Sequence, residues 1–67
     1  MYPNLRAEVA RKGLTMKELA KRIGIGESTM NQKLNGKYAF TLDEAVLIRN
    51  VLEVDIPLDV LFEKVAA

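Results

Sequence analysis

The chain has 67 residues and a mass of 7.5 kDa, with ten Lys plus Arg against nine Asp plus Glu, and no His, Cys or Trp. That length suits one small domain, residues 1–67, and the inventory excludes a Cys/His zinc site, a disulfide framework and Cys–His or Ser–His catalytic pairs. No apolar run approaches the roughly 20 residues of a bilayer span, and the first six residues lack a signal-peptide core, so a soluble, cytoplasmic, non-enzymatic protein without metal or cofactor is expected.

Taken in chain order, hydrophobic spacing and cap residues predict five short helices. The first covers about residues 4–12, with Leu5 and Val9 one turn apart and Gly13 placed to end it. The second covers 15–23 and opens on a capping box, Thr15-Met16-Lys17-Glu18, in which hydroxyl and carboxylate answer orphan backbone donors. Leu14 and Leu19 flank that cap as a hydrophobic staple, and Met16, Leu19, Ala20 and Ile23 form one buried stripe. Gly24-Ile25-Gly26 then breaks the chain, with Gly26 as N-cap of a third helix, 27–34, that buries Met30 and Leu34. Asn35-Gly36 stops it. A second capping box, Thr41-Leu42-Asp43-Glu44, starts a helix over 41–52 with Leu42, Ala45, Ile48 and Leu52 on one side and Leu47 and Val51 on another. Asp55 is expected to cap a last helix, 56–65, carrying Leu58, Leu61, Phe62 and Val65. No segment alternates as a strand, so the class is all-α, a compact bundle of about five short helices.

Charge is divided unevenly along this order. Residues 1–40 carry a net +5 and residues 41–67 a net −4, an asymmetry that points to a polyanion-facing surface in the first part. Two short helices joined by a Gly-containing turn inside a small basic all-α unit describe a helix-turn-helix.

Residues 14–36, LTMKELAKRIGIGESTMNQKLNG, resemble the motif of lambda-repressor-like (Cro and Xre-type) regulators of phage and bacteria. The resemblance rests on the LT-x-x-ELA opening, the small Ala20, Gly24 at the turn, the apolar Met30 and the closing Asn35-Gly36, and extends through the element order to Phe62. It implies sequence-specific binding of double-stranded DNA by a transcriptional repressor, with helix 27–34 in the major groove. So small a reader has few contacts, so a homodimer on a pseudo-palindromic operator is expected, and no small-molecule ligand is evident. The chain departs from the family's pattern at Met16 and Glu27, where Gln is frequent, at Gly26, where Ser or Thr is, and at Lys33, often apolar.

Within helix 27–34, Met30 and Leu34 set the inward direction. At 100° per residue Ser28 and Gln32 then point nearly opposite, Thr29, Asn31 and Asn35 flank them, and Glu27 falls toward the inward side. Ser28, Thr29, Asn31 and Gln32 are therefore the base-reading candidates, Gln32 first because an amide pairs bidentately with adenine. Arg11, Lys12, Lys17, Arg22, Lys33, Lys37 and Tyr38 are the phosphate candidates, which set register without reading sequence. Leu47, Val51, Ile56, Leu58, Val60, Phe62 and Val65 are the dimer-interface candidates.

Competing readings are plainer. Met16 and Met30 at helical spacing are core residues rather than ligands. Asp55 and Asp59, one turn apart, read as a cap and an exposed carboxylate rather than an acid–base pair. The alternative function is a protein-interaction module, an adaptor or antitoxin-like domain keeping the fold without reading DNA. Met16, Glu27 and the acidic second part motivate it.

Overall fold

The computed structural model describes residues 1–65 and contains five helices: α1 (Pro3–Arg11), α2 (Met16–Ile23), α3 (Glu27–Leu34), α4 (Leu42–Leu52) and α5 (Leu58–Leu61). Among the described residues there is no strand. The helix ends follow from local chemistry. α1 begins with Pro3, whose missing N–H would be unpaired there in any case, and ends in a Schellman turn. Its Leu14 amide donates to the Val9 carbonyl (3.1 Å) and its Gly13 amide, at φ 78°, to Ala10 (3.0 Å). α2 and α4 both open on the expected capping boxes. The Glu18 amide donates to Thr15 Oγ1 (3.1 Å) and the Thr15 amide to Glu18 Oε1 (3.1 Å). At α4 the Glu44 amide donates to Thr41 Oγ1 (3.1 Å) and the Thr41 amide to Glu44 Oε1 (2.9 Å).

The last helix is the main correction to the expected order. It is a single turn, Leu58–Leu61, not 56–65, and its N-cap is Pro57 without a side-chain cap bond, so Asp55 does not cap it. Ring closure holds Pro57 at φ −55° in extended backbone and denies a helix through 56–57. After Phe62 the chain leaves the helix, and Val65, expected on its apolar stripe, is 53 % exposed. Leu42 is a second correction: as the first residue of α4 it has no preceding turn to lie against, and it is 71 % exposed. Ala45, Ile48 and Leu52 of the same stripe are buried as expected.

The core gathers Leu5 and Val9 of α1, Leu19 and Ala20 of α2, Met30 and Leu34 of α3, Ile48 and Leu52 of α4, and Leu61 of α5. Each fully buried large side chain here contributes about 1.5–3 kcal/mol. α2 packs against both α3 and α4, while α5 bridges α1 and α4. Met16 is only partly buried against this core; Met30 is fully buried. Tyr2, given no role by the sequence reading, is 2 % exposed and meets Phe40 edge-on, ring centroids 5.2 Å apart. Phe62 completes a three-ring cluster, 5.2 Å from Phe40 and 6.3 Å from Tyr2. These rings close the end of the bundle where the α3–α4 loop meets α5.

Candidate nucleic-acid interface

The α2–α3 turn sets the angle at which α3 is presented. The Ile25 amide donates to the Ala20 carbonyl (3.0 Å) and Gly24 to Lys21 (3.3 Å), with Gly24 at φ 82°. A Cβ on Gly24 would meet nothing within 4 Å, so its requirement is the left-handed backbone itself, which side chains adopt at a cost. Gly26 is extended, as an N-cap must be, and accepts the first α3 bond from the Met30 amide (3.0 Å). Ala20, 1 % exposed, and Met30, fully buried, sit on the two helices of this pair.

α3 buries Lys33 together with Met30 and Leu34. That third inward residue rotates the outward face away from the expected direction. Ser28, Asn31 and Asn35 are exposed, whereas Gln32 and Thr29 are half-buried. Glu27, expected toward the inward side, is exposed at the helix start. The open polar face of α3 is thus centred on Ser28 and Asn31, with Gln32 and Thr29 along one edge.

The basic residues separate into two groups. Lys17, Lys21, Arg22 and Lys37 are exposed, without an ion-pair partner among the described residues. Tyr38, on the loop leaving α3, is 52 % exposed, with the Lys37 ammonium 5.6 Å from its ring centroid. The other candidates are committed to carboxylates. Arg11 pairs with the buried Glu8 at 2.6 Å, and Lys12 with Glu53 at 2.5 Å. Lys33 is the clear departure from its expected phosphate role: it is 8 % exposed and donates to Glu44 Oε1 (2.9 Å) and to the Ala39 carbonyl (3.1 Å). A buried ammonium must be paired, and Glu44 pairs it.

Three carboxylates are held below the ordinary Glu range. For Glu18 the largest cause is the hydrogen bond from the Thr15 amide. For Glu53 it is the hydrogen bond from Lys12. At Glu44 partial burial works upward and is the largest single effect, but Lys33 and the Thr41 amide and hydroxyl together outweigh it.

The helix-turn-helix family matches residues 5–58, most of the chain, from within α1 through the whole of α2, α3 and α4. The chain belongs to the helix-turn-helix family, of the lambda-repressor-like, Cro type. Curated proteins and solved structures give no match to it. The family is one of DNA-binding domains. Among the described residues of this helix-turn-helix domain, no helix is long and apolar enough to cross a membrane.

The apolar interface candidates do not form one uniform surface. Leu47, Val60 and Val65 are exposed, while Val51, Ile56 and Phe62 are largely spent on the domain's own core. Leu58 is half-buried at the rim of an open cleft of about 310 Å³ that Tyr2, Phe40, Leu42 and Phe62 also line. Sequence reasoning missed Tyr2, Phe40 and the Lys33–Glu44 pair. The usable signal for the pair was Lys33 standing three residues after Met30, on the buried side of α3.

Proposed function

We propose that this domain is a sequence-specific reader of double-stranded DNA that represses transcription by occupying an operator. The observation that carries the reading is the open polar face of α3, Ser28 and Asn31 flanked by Thr29 and Gln32, continuing into a loop with exposed Lys37 and Tyr38. Amide side chains there suit bidentate pairing with adenine in the major groove, and Lys37 and Tyr38 suit adjacent phosphates. Lys17, at the start of α2, supplies a further phosphate contact. So small a reader makes few contacts, which favours two copies on a pseudo-palindrome with α3 helices about 34 Å apart. Of the expected interface residues, Leu47, Val60 and Val65 are exposed and available to such a pairing.

Selection from a random DNA library tests this reading in one experiment. The expected product is an inverted repeat with half-sites about one or more helical turns apart, centre to centre. A library that emerges unenriched, together with no binding at low salt, overturns it. That result favours the second reading, a protein-interaction module, for which the exposed Glu27 carboxylate at the start of α3 is the specific support, since phosphate repels it.

A further inference from the structure

Lys33 is a costly way to fill a buried place on a helix. Methionine has a similar length and no ammonium to desolvate. What Lys33 does that methionine does not is donate in several directions at once. Its Nζ meets Glu44 Oε1 at 2.9 Å, the Ala39 carbonyl at 3.1 Å and the face of the Phe40 ring at 5.9 Å. These partners belong to the start of α4 and to the middle of the loop 35–41. Glu44 is itself anchored, because the same Oε1 accepts from the Thr41 amide.

The loop needs such a tie. At its start the Asn35, Gly36 and Lys37 amides donate to α3 carbonyls, and at its end Thr41 is held by Glu44. Between them, among the described residues, the Ala39 carbonyl is the one backbone group of residues 38–40 in an intramolecular hydrogen bond, and its donor is Lys33. The exposed Lys37 and Tyr38 stand immediately before that tie.

We propose that Lys33 is a positioning residue for DNA binding: its ammonium ties the middle of the 35–41 loop to α3 and α4, so that Lys37 and Tyr38 meet phosphate in register with the polar face of α3. This rests on the DNA-binding reading above. Lys33 itself touches no DNA. Its effect is transmitted through the Ala39 carbonyl and the Glu44 carboxylate.

The test is the double variant Lys33→Met/Glu44→Gln, which removes both charges and leaves an amide oxygen for the Thr41 donor. Replacing a buried ion pair by neutral groups of similar size is often tolerated, so the fold is expected to persist. Backbone order parameters from ¹⁵N relaxation in the free protein should fall at residues 38–40 from about 0.85 to below about 0.6. Affinity for a mixed-sequence DNA duplex two helical turns long should drop about tenfold, with a salt dependence shallower by about one unit as Lys37 leaves its phosphate. Lys37→Ala, costly in the wild-type background, should then cost almost nothing in the variant, a coupling that a purely structural Lys33 would not produce. Unchanged order parameters, or an equal Lys37→Ala penalty in both backgrounds, overturn the proposal. Should the double variant not fold, Lys33→Met alone, which removes the bond to the Ala39 carbonyl and leaves the partly exposed Glu44 to its Thr41 donor, is read by the same criteria. If the wild-type protein binds no duplex at low salt, the DNA-binding reading falls by itself, and the order parameters still decide whether Lys33 holds the loop.

Discussion

Asn31 and Gln32 carry the same amide and differ in where α3 places them: Asn31 is exposed and Gln32 half-buried. Asn31→Ala and Gln32→Ala are each expected to cost about 1–3 kcal/mol on the selected operator and to relax preference at one base pair. Binding curves on single-base operator variants check this. A loss equal on every sequence would remove either residue from the readers. Ala20 belongs to a different kind of site, where size alone matters. Ala20→Leu should overpack the α2–α3 crossing and cost about 1–3 kcal/mol in thermal or urea unfolding. An unchanged midpoint would contradict the close approach its 1 % exposure indicates. Ala20 was legible in the sequence because it depends on near neighbours along the chain, while the outward side of α3 was legible only in part, since buried Lys33 turns it from Gln32 toward Asn31. Lys33 and Tyr2 were not. Lys33 is buried because Glu44, eleven residues on, is waiting for it, and Tyr2 because Phe40 and Phe62 converge on it from distant segments. Helical spacing puts Lys33 on the buried side of α3, but the partners that a lysine or an N-terminal tyrosine meets there come from distant segments, which no local rule supplies.

Element boundaries divide along the same line. α2 and α4 start where their capping boxes say, since every atom involved lies within four residues. Thr15→Ala and Thr41→Ala should each cost about 0.5–2 kcal/mol of unfolding free energy. Thr41→Ala reaches further, because Glu44 is bonded to Lys33 as well as to Thr41. α5 was misread because an i, i+3, i+4, i+7 apolar pattern is satisfied equally by a single turn followed by an extended chain. Pro57 and the demands of the aromatic cluster decide between them. The two capping carboxylates and the Lys12-paired Glu53 also share a pH response. Glu18, Glu44 and Glu53 have folded pKa values below their ordinary value of 4.5, so each binds protons less readily folded than unfolded. Their contribution is complete above the unfolded value and is lost as pH falls through the folded ones. Thermal midpoints should therefore hold steady down to about pH 4.5 and decline below it, and Glu44→Gln should flatten that decline. A midpoint insensitive to acid in the wild-type protein would contradict the pairing of these groups.

For the whole molecule, a net charge of +1 suggests weak attraction to DNA, and the arrangement of the charges replaces that expectation. The first forty residues carry the helix-turn-helix and a net +5, but three of their cations, Arg11, Lys12 and Lys33, are matched to Glu8, Glu53 and Glu44. The acidic part thus does more than balance the total: Glu44 and Glu53, both from α4 and its cap, consume basic charge that would otherwise face phosphate. What remains without an ion pair in that part is Arg6 on α1, Lys17, Lys21 and Arg22 on α2, and Lys37 on the α3–α4 loop. Each phosphate neutralised contributes about −0.9 to the slope of log K against log salt on B-DNA, so those five residues together should give each chain a slope no steeper than about −4.5. Lys37→Ala should make it shallower by about one unit on every sequence. Arg11→Ala and Lys12→Ala should leave it where it is, because their charges already have partners across α1 and α4. A titration on the selected operator between low and physiological salt measures all of these slopes. A wild-type slope near zero would show that the basic side does not face phosphate. One well beyond the limit set by those five residues would mean that further cations reach phosphate, either Arg49 and Lys64 or those freed by opening of the ion pairs to Glu8, Glu44 and Glu53. Only in the second case would Arg11→Ala and Lys12→Ala then make it shallower.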